Sequence, residues 1–253
     1  MFAGVRRESD GEGLREEASE RLVPVIVDVT QADQIAAAAE RLGSELGDSG
    51  LDGLVNNAGV AILGPLETMP IDDFRRQIEI NLTGHVAVTQ AMLPLVRAAT
   101  GRIAFVSSIG GRMALPFGGP YHASKFGIEA VADCFRQELR PWGIGVSAIE
   151  PGSIDTPIWE RGEQTADELA GRVPAAQEAL YGETLVSFRK AVRRTAKRGI
   201  SPDKVARTIE RALSSRRPRT RYVVGADARG QALLRSLLPD RMMDRAVARL
   251  MGI

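Results

Sequence analysis

The sequence predicts a doubly wound α/β fold, in which a mostly parallel sheet lies between two layers of helices (α/β/α). Short apolar runs of buried-strand length alternate with longer stretches of helical periodicity along the chain. This alternation of strands with crossover helices is typical of parallel sheets that are covered on both faces. The 253 residues contain no internal repeat, low-complexity segment or long linker, so we expect a single domain.

Six apolar runs are predicted as strands. They are residues 2–5, 22–27, 51–55, 102–107, 145–149 and 221–224. Helical periodicity predicts helices over 31–46, 71–98 and 121–140, and a further helix that opens at Pro202. Thr30 is expected to cap the first of these helices and Gly47 to end it, while Ser201 is expected to cap the last.

The composition disfavours several classes of protein. Lys and Arg number 33 against 32 Asp and Glu, a net charge of +1, so we expect no global polyanion-binding surface and no nucleic-acid partner. Cys134 is the single cysteine beside two histidines, which excludes an internal disulfide framework and disfavours a metal site. The first residues do not resemble a signal peptide, and no apolar run approaches the length of about 18 residues that spans a bilayer. We therefore expect a cytoplasmic protein.

Tyr121 and Lys125 give the strongest chemical signal. They are four positions apart, so they lie one turn apart on the same face of a predicted helix. A lysine ammonium near a phenol is expected to lower the pKa of the tyrosine, which would make Tyr121 a proton donor or acceptor near neutral pH. The same short pattern also occurs as an ordinary surface pair. His122 points in another direction and is interpreted as a packing or surface residue.

Further polar residues follow predicted strands, at the edge where ligands bind in open α/β sheets. Ser108 follows strand 102–107, and Asn-Asn-Ala-Gly at 56–59 follows strand 51–55. Asn81 lies midway along the helical stretch 71–98, where asparagine is a poor choice unless its side chain has a role.

Together these residues resemble the short-chain dehydrogenase/reductase family in order and in spacing. The match consists of Asn-Asn-Ala-Gly at 56–59, Asn81, Ser108, Tyr121-x-x-x-Lys125 and Pro151-Gly152, and it covers roughly residues 1–225. The resemblance implies a Rossmann-like fold and an NAD(P)-dependent oxidoreductase that acts on CH–OH groups. The hydride would pass between the nicotinamide and the alcohol or carbonyl carbon of the substrate.

The resemblance also implies the catalytic roles. Tyr121 would be the general acid/base, and Lys125 would lower its pKa and hold the nicotinamide ribose. Ser108 would hydrogen-bond the substrate oxygen as charge develops on it. Asn81 would hold a water that links Lys125 to solvent.

The cofactor contacts implied by the resemblance run along the whole predicted edge. Besides Tyr121 and Lys125, they comprise Asp28 and Val29 at the adenine, Asn56, Ala58 and Gly59 at the adenosine ribose, and Pro151, Gly152, Ile154 and Thr156 around the nicotinamide. Arg6 and Arg7 follow the first strand, where an NAD enzyme of this family usually has an acidic residue. Because arginines suit a 2′-phosphate, NADP(H) is favoured over NAD(H). A pair of solvated arginines is the alternative.

The glycine-rich phosphate loop of the family has no counterpart in the sequence. Gly11 and Gly13 are the nearest match, but Glu16 stands in place of the third glycine, so we interpret this segment as an ordinary loop entering a helix. We expect the chain to start at the family's second strand, with the first βα unit, of about 25–35 residues, missing upstream of Met1. The alternative is a truncated, catalytically impaired relative that acts as a binding or scaffold protein.

The remaining segments concern the substrate. Within the single domain we expect a cofactor-binding and catalytic part (1–156), a substrate lid (157–200) and an amphipathic C-terminal tail (226–253). Aromatic lid residues such as Trp159 and Tyr181 indicate either a small lipophilic substrate or packing onto the core. The tail resembles that of members acting on steroids, retinoids or other lipophilic alcohols. It could cover the cleft, pack in a homo-oligomer, which we expect, or contact a membrane surface.

Overall fold

The computed structural model describes residues 1–18, 21–158, 161–162, 164–165, 167, 180–182, 184–188, 190 and 199–251. The strands are β1 (Phe2–Val5), β2 (Val23–Ile26), β3 (Gly53–Asn56), β4 (Arg102–Val106), β5 (Gly145–Pro151) and β6 (Arg221–Val224). The helices are α1 (Glu8–Glu17), α2 (Ala32–Leu46), α3 (Ile71–Ile78), α4 (Gly84–Ala98), α5 (Gly119–Glu138), α6 (Pro202–Ser214), α7 (Ala226–Leu237) and α8 (Asp240–Met251). All six predicted strands are present, and the doubly wound α/β architecture is confirmed.

The strands are all parallel, and they form two hydrogen-bonded sheets. β1 pairs with β2, while β3, β4, β5 and β6 pair in chain order. The centre of the larger sheet is the most buried part of the molecule. Phe105 of β4 is fully buried and stacks on Phe135 of α5, with ring centroids 6.0 Å apart. Ile103, Ile128 and Val146 complete this core, so α5 packs firmly across β4 and β5.

A break separates the two sheets. No hydrogen-bonded ladder joins β1 to β3, and a cavity of about 2160 Å³ extends between them. Val55, in β3, is 37% exposed despite its apolar side chain. The sheets are tied together on one side by α2 and α4, where Val25, Leu42 and Met92 share one apolar cluster. An apolar slot with unpaired strand edges is what the absence of a strand would leave, and the upstream βα unit stays a prediction.

The predicted helix over 71–98 is divided into two. A π-helical turn, Glu79–Thr83, lies between α3 and α4, and the buried Asn81 stands at its centre. A π-turn in place of regular α-helix is typical of functional positions in helices. Asparagine at this position therefore marked a change in the helix that the apolar periodicity did not reveal.

Two local expectations were wrong. Gly11 and Gly13 lie within α1 rather than in a loop. A Cβ on Gly11 would stand 2.9 Å from Cβ of Pro24, so this glycine allows α1 to approach β2. Thr30 is not a helix cap, because its amide and hydroxyl both donate to Asp28 and α2 begins after Gln31.

Two expected helix ends are confirmed. Gly47 ends α2 with a positive φ of 53°, a conformation that glycine adopts without strain. Ser201 caps α6, where its hydroxyl accepts a hydrogen bond from the amide of Asp203. None of the described helices is long and apolar enough to cross a membrane.

A buried ionic cluster joins the last strand to the centre of the sheet. Glu150, at the end of β5, is fully buried and forms an ion pair with Arg112 at 2.7 Å. Arg221 of β6 contacts Glu129 at 2.9 Å and Asp133 at 2.7 Å on α5, and it lies 3.3 Å from Glu150. Burial raises the pKa of Glu150, and the hydrogen bond from Arg112 opposes this shift. Arg221 thus links β6, β5 and α5 through charge.

We predict that Arg221→Met lowers the free energy of unfolding by about 2–3 kcal/mol, because it leaves buried carboxylates without one of their cations. Urea unfolding monitored by circular dichroism measures the change. Arg235→Met is the matched control, since Arg235 forms a largely exposed ion pair with Asp240 and its loss should cost less than about 0.5 kcal/mol. Equal effects of the two substitutions would contradict the structural role of the cluster.

Candidate active site

The candidate site lies where β3, β4 and β5 end on the large cavity. The cavity is lined by predicted site residues from the carboxyl ends of these strands, from the π-helical turn between α3 and α4, and from the first turns of α5. They include Asn56, Ala58, Gly59, Asn81, Ser108, Tyr121, Lys125, Pro151, Gly152, Ile154 and Thr156. Asp28 and Val29, which follow β2, line the same cavity. The structure therefore brings nearly all the predicted residues to one edge of the fold.

Lys125 is held deep in the site. It is only 6% exposed, and its Nζ donates a hydrogen bond of 2.8 Å to the carbonyl oxygen of Val106, the last residue of β4. Tyr121 lies one turn earlier on α5, and Nζ of Lys125 is 5.8 Å from the centroid of its ring. Helix α5 begins with Gly119 and Pro120 at its N-terminus, which suits the first helical turn. Tyr121 is thereby fixed at the cavity wall by the anchoring of Lys125.

Ser108 completes the group at the end of β4. Its hydroxyl accepts a hydrogen bond of 3.0 Å from the amide of Gly110 and caps the short 3₁₀ turn Ile109–Gly111. It also forms a side-chain hydrogen bond with Tyr121, which acts to lower the tyrosine pKa. Ser108 and Tyr121 thus present two hydroxyl groups side by side, an arrangement that can bind a single substrate oxygen.

The pKa of Tyr121 is shifted in the direction opposite to our expectation. Burial raises it above its ordinary value, and the hydrogen bond from Ser108 opposes that shift. The charge of Lys125, whose Nζ is 5.8 Å from the centroid of the ring, does not reverse this shift. Burial instead lowers the pKa of Lys125 to about 8, with the carboxylate of Glu129 acting in the opposite direction.

Asn81 connects two parts of the site through its side chain. Its Oδ1 accepts from the amide of Val60 at 2.9 Å, and its Nδ2 donates to the carbonyl of Val60 at 3.0 Å and to Ser124 at 3.2 Å. Both amide hydrogens are therefore used within the protein. Asn81 joins the segment after β3 to α5, and its predicted part in holding a water stays a prediction.

His85 is a buried site residue that the sequence analysis did not identify. It is 1% exposed, and its Nε2 lies 2.6 Å from the carbonyl oxygen of Ala58. Burial lowers its pKa to about 4, and the charge of Lys125 acts in the same direction. The ring is therefore neutral at pH 7 and donates from Nε2 to Ala58. Its position four residues after Asn81 was the available signal.

The predicted adenosine contacts are placed in different ways. Asp28 lines the cavity, and hydrogen bonds from the amide and hydroxyl of Thr30 lower its pKa. Val29 is approached closely by Gly84, where a Cβ would stand 2.8 Å from the carbonyl oxygen of Val29. Asn56 is buried, and its side chain donates to Thr89 rather than to the cavity. The side-chain amide nitrogen of Asn56 is thus engaged within the protein.

The segment after β5 is held by a residue that the sequence analysis did not identify. The carboxylate of Asp227, in the first turn of α7, accepts a hydrogen bond of 2.8 Å from the amide of Ser153. A Cβ on Gly152 would stand 2.2 Å from this carboxylate, so glycine is required for the close approach. Ile154 forms an isolated parallel bridge with Ile200. Together these contacts shape the predicted nicotinamide loop.

The two arginines after β1 differ in their surroundings. Arg7 forms a bidentate pair with Asp10, with distances of 2.8 and 3.0 Å. Arg6 is exposed and lies on the wall of the cavity. Arg6 is therefore better placed than Arg7 to meet an anionic group.

The predicted contacts of a nicotinamide dinucleotide lie on the wall of this cavity. Asp28 and Arg6, predicted at the adenosine, and residues of the segment Pro151–Thr156, predicted at the nicotinamide, line it together with Tyr121 and Lys125. The pyrophosphate of the dinucleotide has no comparable partner at α1. The first turn of this helix carries Glu8 and Asp10, which disfavour a phosphate at its N-terminus. Among the described residues no glycine-rich loop follows β1. No cluster of His, Cys, Asp and Glu that could hold a metal occurs in the described part of the chain.

An apolar cluster includes two residues of the loop that joins Ser108 to Tyr121. Leu63 and Phe188 are buried together, with Leu115, Phe117 and Val247 of α8 packed against them. Phe117 has a positive φ of 63°, an uncommon conformation for a bulky residue. Most of the predicted lid, including Trp159 and the basic run 189–198 apart from the backbone of Lys190, lies outside the described residues. Val247 packs against this cluster, so α8 contacts the loop after β4.

Comparison with known proteins identifies the family. The sequence profile described as short chain dehydrogenase matches residues 4–167. This chain is a short-chain dehydrogenase. It is 40% identical over 250 residues to retinol dehydrogenase 5 of Mus musculus, a match that spans 96% of this chain and 78% of the relative. It is also 40% identical over 257 residues to 17-beta-hydroxysteroid dehydrogenase type 6 of Bos taurus, which spans 98% and 80%.

Solved structures of short-chain dehydrogenases share the fold. One from Streptomyces avermitilis has a TM-score of 0.74 at 24% identity and covers 99% of this chain and 85% of its own. Another, from Burkholderia cenocepacia and in complex with NADP, has a TM-score of 0.70 at 27% identity and covers 98% and 85%. The Rossmann-like fold that the sequence implied is therefore confirmed.

We predict that Lys125→Met removes a pH dependence of stability. The folded pKa of about 8 lies below the ordinary value of 10.5, so between these pH values the unfolded short-chain dehydrogenase binds more protons than the folded one. The free energy of unfolding should therefore rise with pH in the wild type, by at most about 1.4 kcal/mol per pH unit relative to the variant. Urea unfolding between pH 7 and 10.5 tests this.

Lys204→Met, at an exposed position in α6, is the control for this experiment and should retain the wild-type rise. If the curves of wild type and Lys125→Met ran parallel over the whole range, Lys125 would not be held in the buried position described above.

Proposed function

We propose that this protein transfers a hydride between NADP(H) and a lipophilic alcohol or its carbonyl counterpart, with Tyr121 as general acid/base. The chain is an NAD(P)-dependent oxidoreductase by family. The observation that carries the finer proposal is the hydrogen-bonded pair of Ser108 and Tyr121, with Lys125 buried one turn away on the same helix. These three groups lie at the wall of one cavity.

Proton transfer at the substrate oxygen is the task of these side chains. In the reducing direction the bound nicotinamide supplies a hydride to the carbonyl carbon. Tyr121 Oη donates its proton to the oxygen as negative charge develops there, and Ser108 Oγ donates a hydrogen bond to the same atom. In the oxidising direction Tyr121 accepts the proton of the alcohol. The raised pKa of Tyr121 keeps the phenol protonated at neutral pH, which is the form that donates the proton during reduction.

Lys125 would act on Tyr121 at close range. Its ammonium is held by Val106 at the end of β4, and the ribose of the nicotinamide half would be its second partner. With a pKa near 8, Lys125 is mostly charged at pH 7, and its positive charge stabilises a tyrosinate once Tyr121 has given up its proton.

A lipophilic substrate is supported by an apolar cluster that includes residues of the loop between Ser108 and Tyr121. Leu63 and Phe188 pack together against Phe117, which belongs to this loop. The relatives named above are retinol and hydroxysteroid dehydrogenases, whose substrates carry an alcohol on a large apolar skeleton. We infer a substrate of the same chemical type for this chain.

A preference for NADP(H) is supported by Arg6. It stands at the end of β1 on the cavity wall, and a guanidinium can bind the 2′-phosphate of NADP through charge-assisted hydrogen bonds. The similar structure from Burkholderia cenocepacia is a complex with NADP.

A non-catalytic binding protein is the second candidate. The break between β1 and β3 and the acidic first turn of α1 favour it, because both disfavour the pyrophosphate. Titration of the chain with NADPH distinguishes the two candidates. The oxidoreductase should bind NADPH with micromolar affinity, whereas a binding protein should show no saturable response.

The tail carries an exposed apolar stripe that supports contact with an anionic membrane surface. Leu233 is 60% and Leu237 70% exposed on α7, and Met242 on α8 is 50% exposed. Arg229 is four positions before Leu233, so it lies on the same face. Residues 226–251 contain five arginines and three aspartates. The segment therefore has a net positive charge, as membrane-surface helices do.

We predict that Tyr121→Phe lowers kcat for carbonyl reduction by about 100- to 10,000-fold, because the variant keeps the ring and loses the proton donor. NADPH oxidation in the presence of steroid, retinoid and fatty-aldehyde carbonyls measures this, and NADPH affinity should be unchanged. Tyr222→Phe is the control, since the hydroxyl of Tyr222, on β6, accepts a hydrogen bond from the amide of Arg219 and no other among the described contacts. Full activity of Tyr121→Phe would refute the mechanism.

Arg6→Glu should raise the Kd of NADPH by about 10- to 100-fold, the loss of one charge-assisted contact, and leave that of NADH unchanged. Fluorescence titration with both cofactors measures this. Arg7→Glu makes the same change of charge at the neighbouring residue and should affect NADPH much less. Equal losses of NADPH affinity in the two variants would indicate a general electrostatic effect of the positive charges and not a direct contact with Arg6.

Leu233→Glu combined with Leu237→Glu should abolish cosedimentation with phosphatidylcholine–phosphatidylserine vesicles. Ile71→Glu, which changes a 59% exposed residue on α3, should leave binding intact. If wild type failed to bind these vesicles, or if the double variant changed only the oligomeric state, the stripe would not be a membrane contact.

A further inference from the structure

His122 is a buried histidine beside Tyr121, and both of its ring nitrogens are bound. The residue is 8% exposed. Its Nε2 accepts a hydrogen bond of 3.0 Å from the amide of Leu115, and its Nδ1 lies 2.9 Å from the carbonyl oxygen of Gly110. An amide can only donate, so Nε2 carries no proton. The proton is therefore on Nδ1, which donates to Gly110, and the ring is neutral.

The loop around this ring is built to receive it. A Cβ on Gly110 would stand 2.9 Å from Nδ1 of His122, and one on Gly118 would stand 2.8 Å from Cδ2 and Nε2. Side chains at these two positions would displace the ring. The backbone amide of His122 also donates to Gly118 at 2.8 Å. His122 thus fixes the loop after β4 at Gly110, Leu115 and Gly118.

Gly110 connects His122 to the active-site hydroxyl groups. Its carbonyl oxygen accepts from His122, and its amide donates to Oγ of Ser108 at 3.0 Å. Ser108 is in turn hydrogen-bonded to Tyr121. Since Ser108 accepts from Gly110, its own hydrogen is left to donate to the oxygen of Tyr121 or of a substrate. A continuous chain of hydrogen bonds therefore runs from His122 through Gly110 and Ser108 to Tyr121.

We propose that His122, as its neutral Nδ1–H tautomer, is a positioning residue that holds Ser108 beside Tyr121 through the peptide of Gly110. The effect on turnover rests on the proposed function, whereas the geometry of His122 does not. The residue acts through Ser108 and does not touch the reacting atoms. The interpretation of His122 as a packing residue is extended here to a role in aligning the site.

Acid should disrupt this arrangement. A second proton on the ring would lie on Nε2 and face the amide hydrogen of Leu115, donor against donor. Burial lowers the pKa of His122, and the bond to Gly110 opposes the shift. Tyr121, on the same helix, is the titratable group that faces the ring, with ring centroids 5.6 Å apart, and Gly110, Leu115 and Gly118 of the loop have no titratable side chains. The contacts are therefore kept near pH 7 and lost as pH falls through the folded pKa, below 6.5.

Nitrogen-15 NMR of the intact protein tests the geometry without any turnover. The chain has two histidines, so the spectrum of His122→Asn assigns both rings. We expect the Nδ1–H tautomer for His122 and the opposite Nε2–H tautomer for His85, which donates to Ala58. A charged ring or an Nε2–H tautomer for His122 at pH 7 would overturn the proposal, even if the protein were an active oxidoreductase.

Two substitutions separate the two bonds of the ring. Asparagine places an amide donor near the position of Nδ1, and glutamine places a carbonyl acceptor near the position of Nε2. We expect His122→Asn to keep kcat within about fivefold of wild type, while His122→Gln and His122→Leu lower it by about 10- to 100-fold, approaching the loss from Ser108→Ala. The acid limb of kcat that follows the His122 titration in the NMR spectrum should be missing in His122→Asn.

A double-mutant cycle distinguishes positioning from a general loss of structure. If His122 acts through Ser108, His122→Leu should have little further effect on kcat in a Ser108→Ala background. Fully multiplicative losses would overturn the proposal, as would equal losses in the asparagine and leucine variants. An inactive wild type would count against the proposed function alone, because the NMR result would still decide the geometry of His122.

Discussion

The bond from the amine of Lys125 to the carbonyl oxygen of Val106 fixes helix α5 to the end of strand β4. This contact places a charged group in a buried position, and the burial lowers its pKa to about 8. The position of Tyr121 depends on this contact, because Tyr121 lies one helical turn from Lys125 on the same face of α5. Ser108 follows as well, since it lies two residues beyond Val106 on the same chain. The spacing of four residues between Tyr121 and Lys125 thus brings both side chains to Ser108 at the carboxyl edge of the sheet.

Several polar side chains near this anchor hold the chain segments that follow the strands. Arg112, in the loop after Ser108, reaches the buried Glu150 that precedes Pro151. Asp227 binds the amide of Ser153 just beyond. Asn81 binds both backbone groups of Val60. Each tie joins a segment at a strand end to a neighbouring element, so the carboxyl edge of the sheet is held by side chains where the backbone ladders end.

The sequence predicted the strands well because each is a short apolar run, and β4 and β5 at the centre of the larger sheet are almost fully buried. The spacing of Tyr121 and Lys125 and the position of Ser108 at a strand end predicted that these three residues lie at one site, and all three line the same cavity. The sequence did not reveal the π-turn at Asn81 or the helix that contains Gly11, because apolar periodicity does not distinguish these from regular helix and loop. His85, Asp227 and the ties of Arg112 and Arg221 depend on contacts between distant segments. The pKa of Tyr121 was expected in the wrong direction because the spacing of Tyr121 and Lys125 does not show how deeply the phenol is buried.

The central claim is that the hydroxyl pair of Ser108 and Tyr121 receives a substrate oxygen while hydride is delivered to the adjacent carbon. Single-turnover reduction of a panel of lipophilic ketones and aldehydes with NADPH deuterated at C4 of the nicotinamide tests it most directly. Mass spectrometry should find one deuterium on the carbinol carbon of the alcohol product, transferred from one face of the nicotinamide. Alcohol formed without deuterium from either C4 epimer, or bound NADPH that reduces none of the carbonyls, would contradict this account.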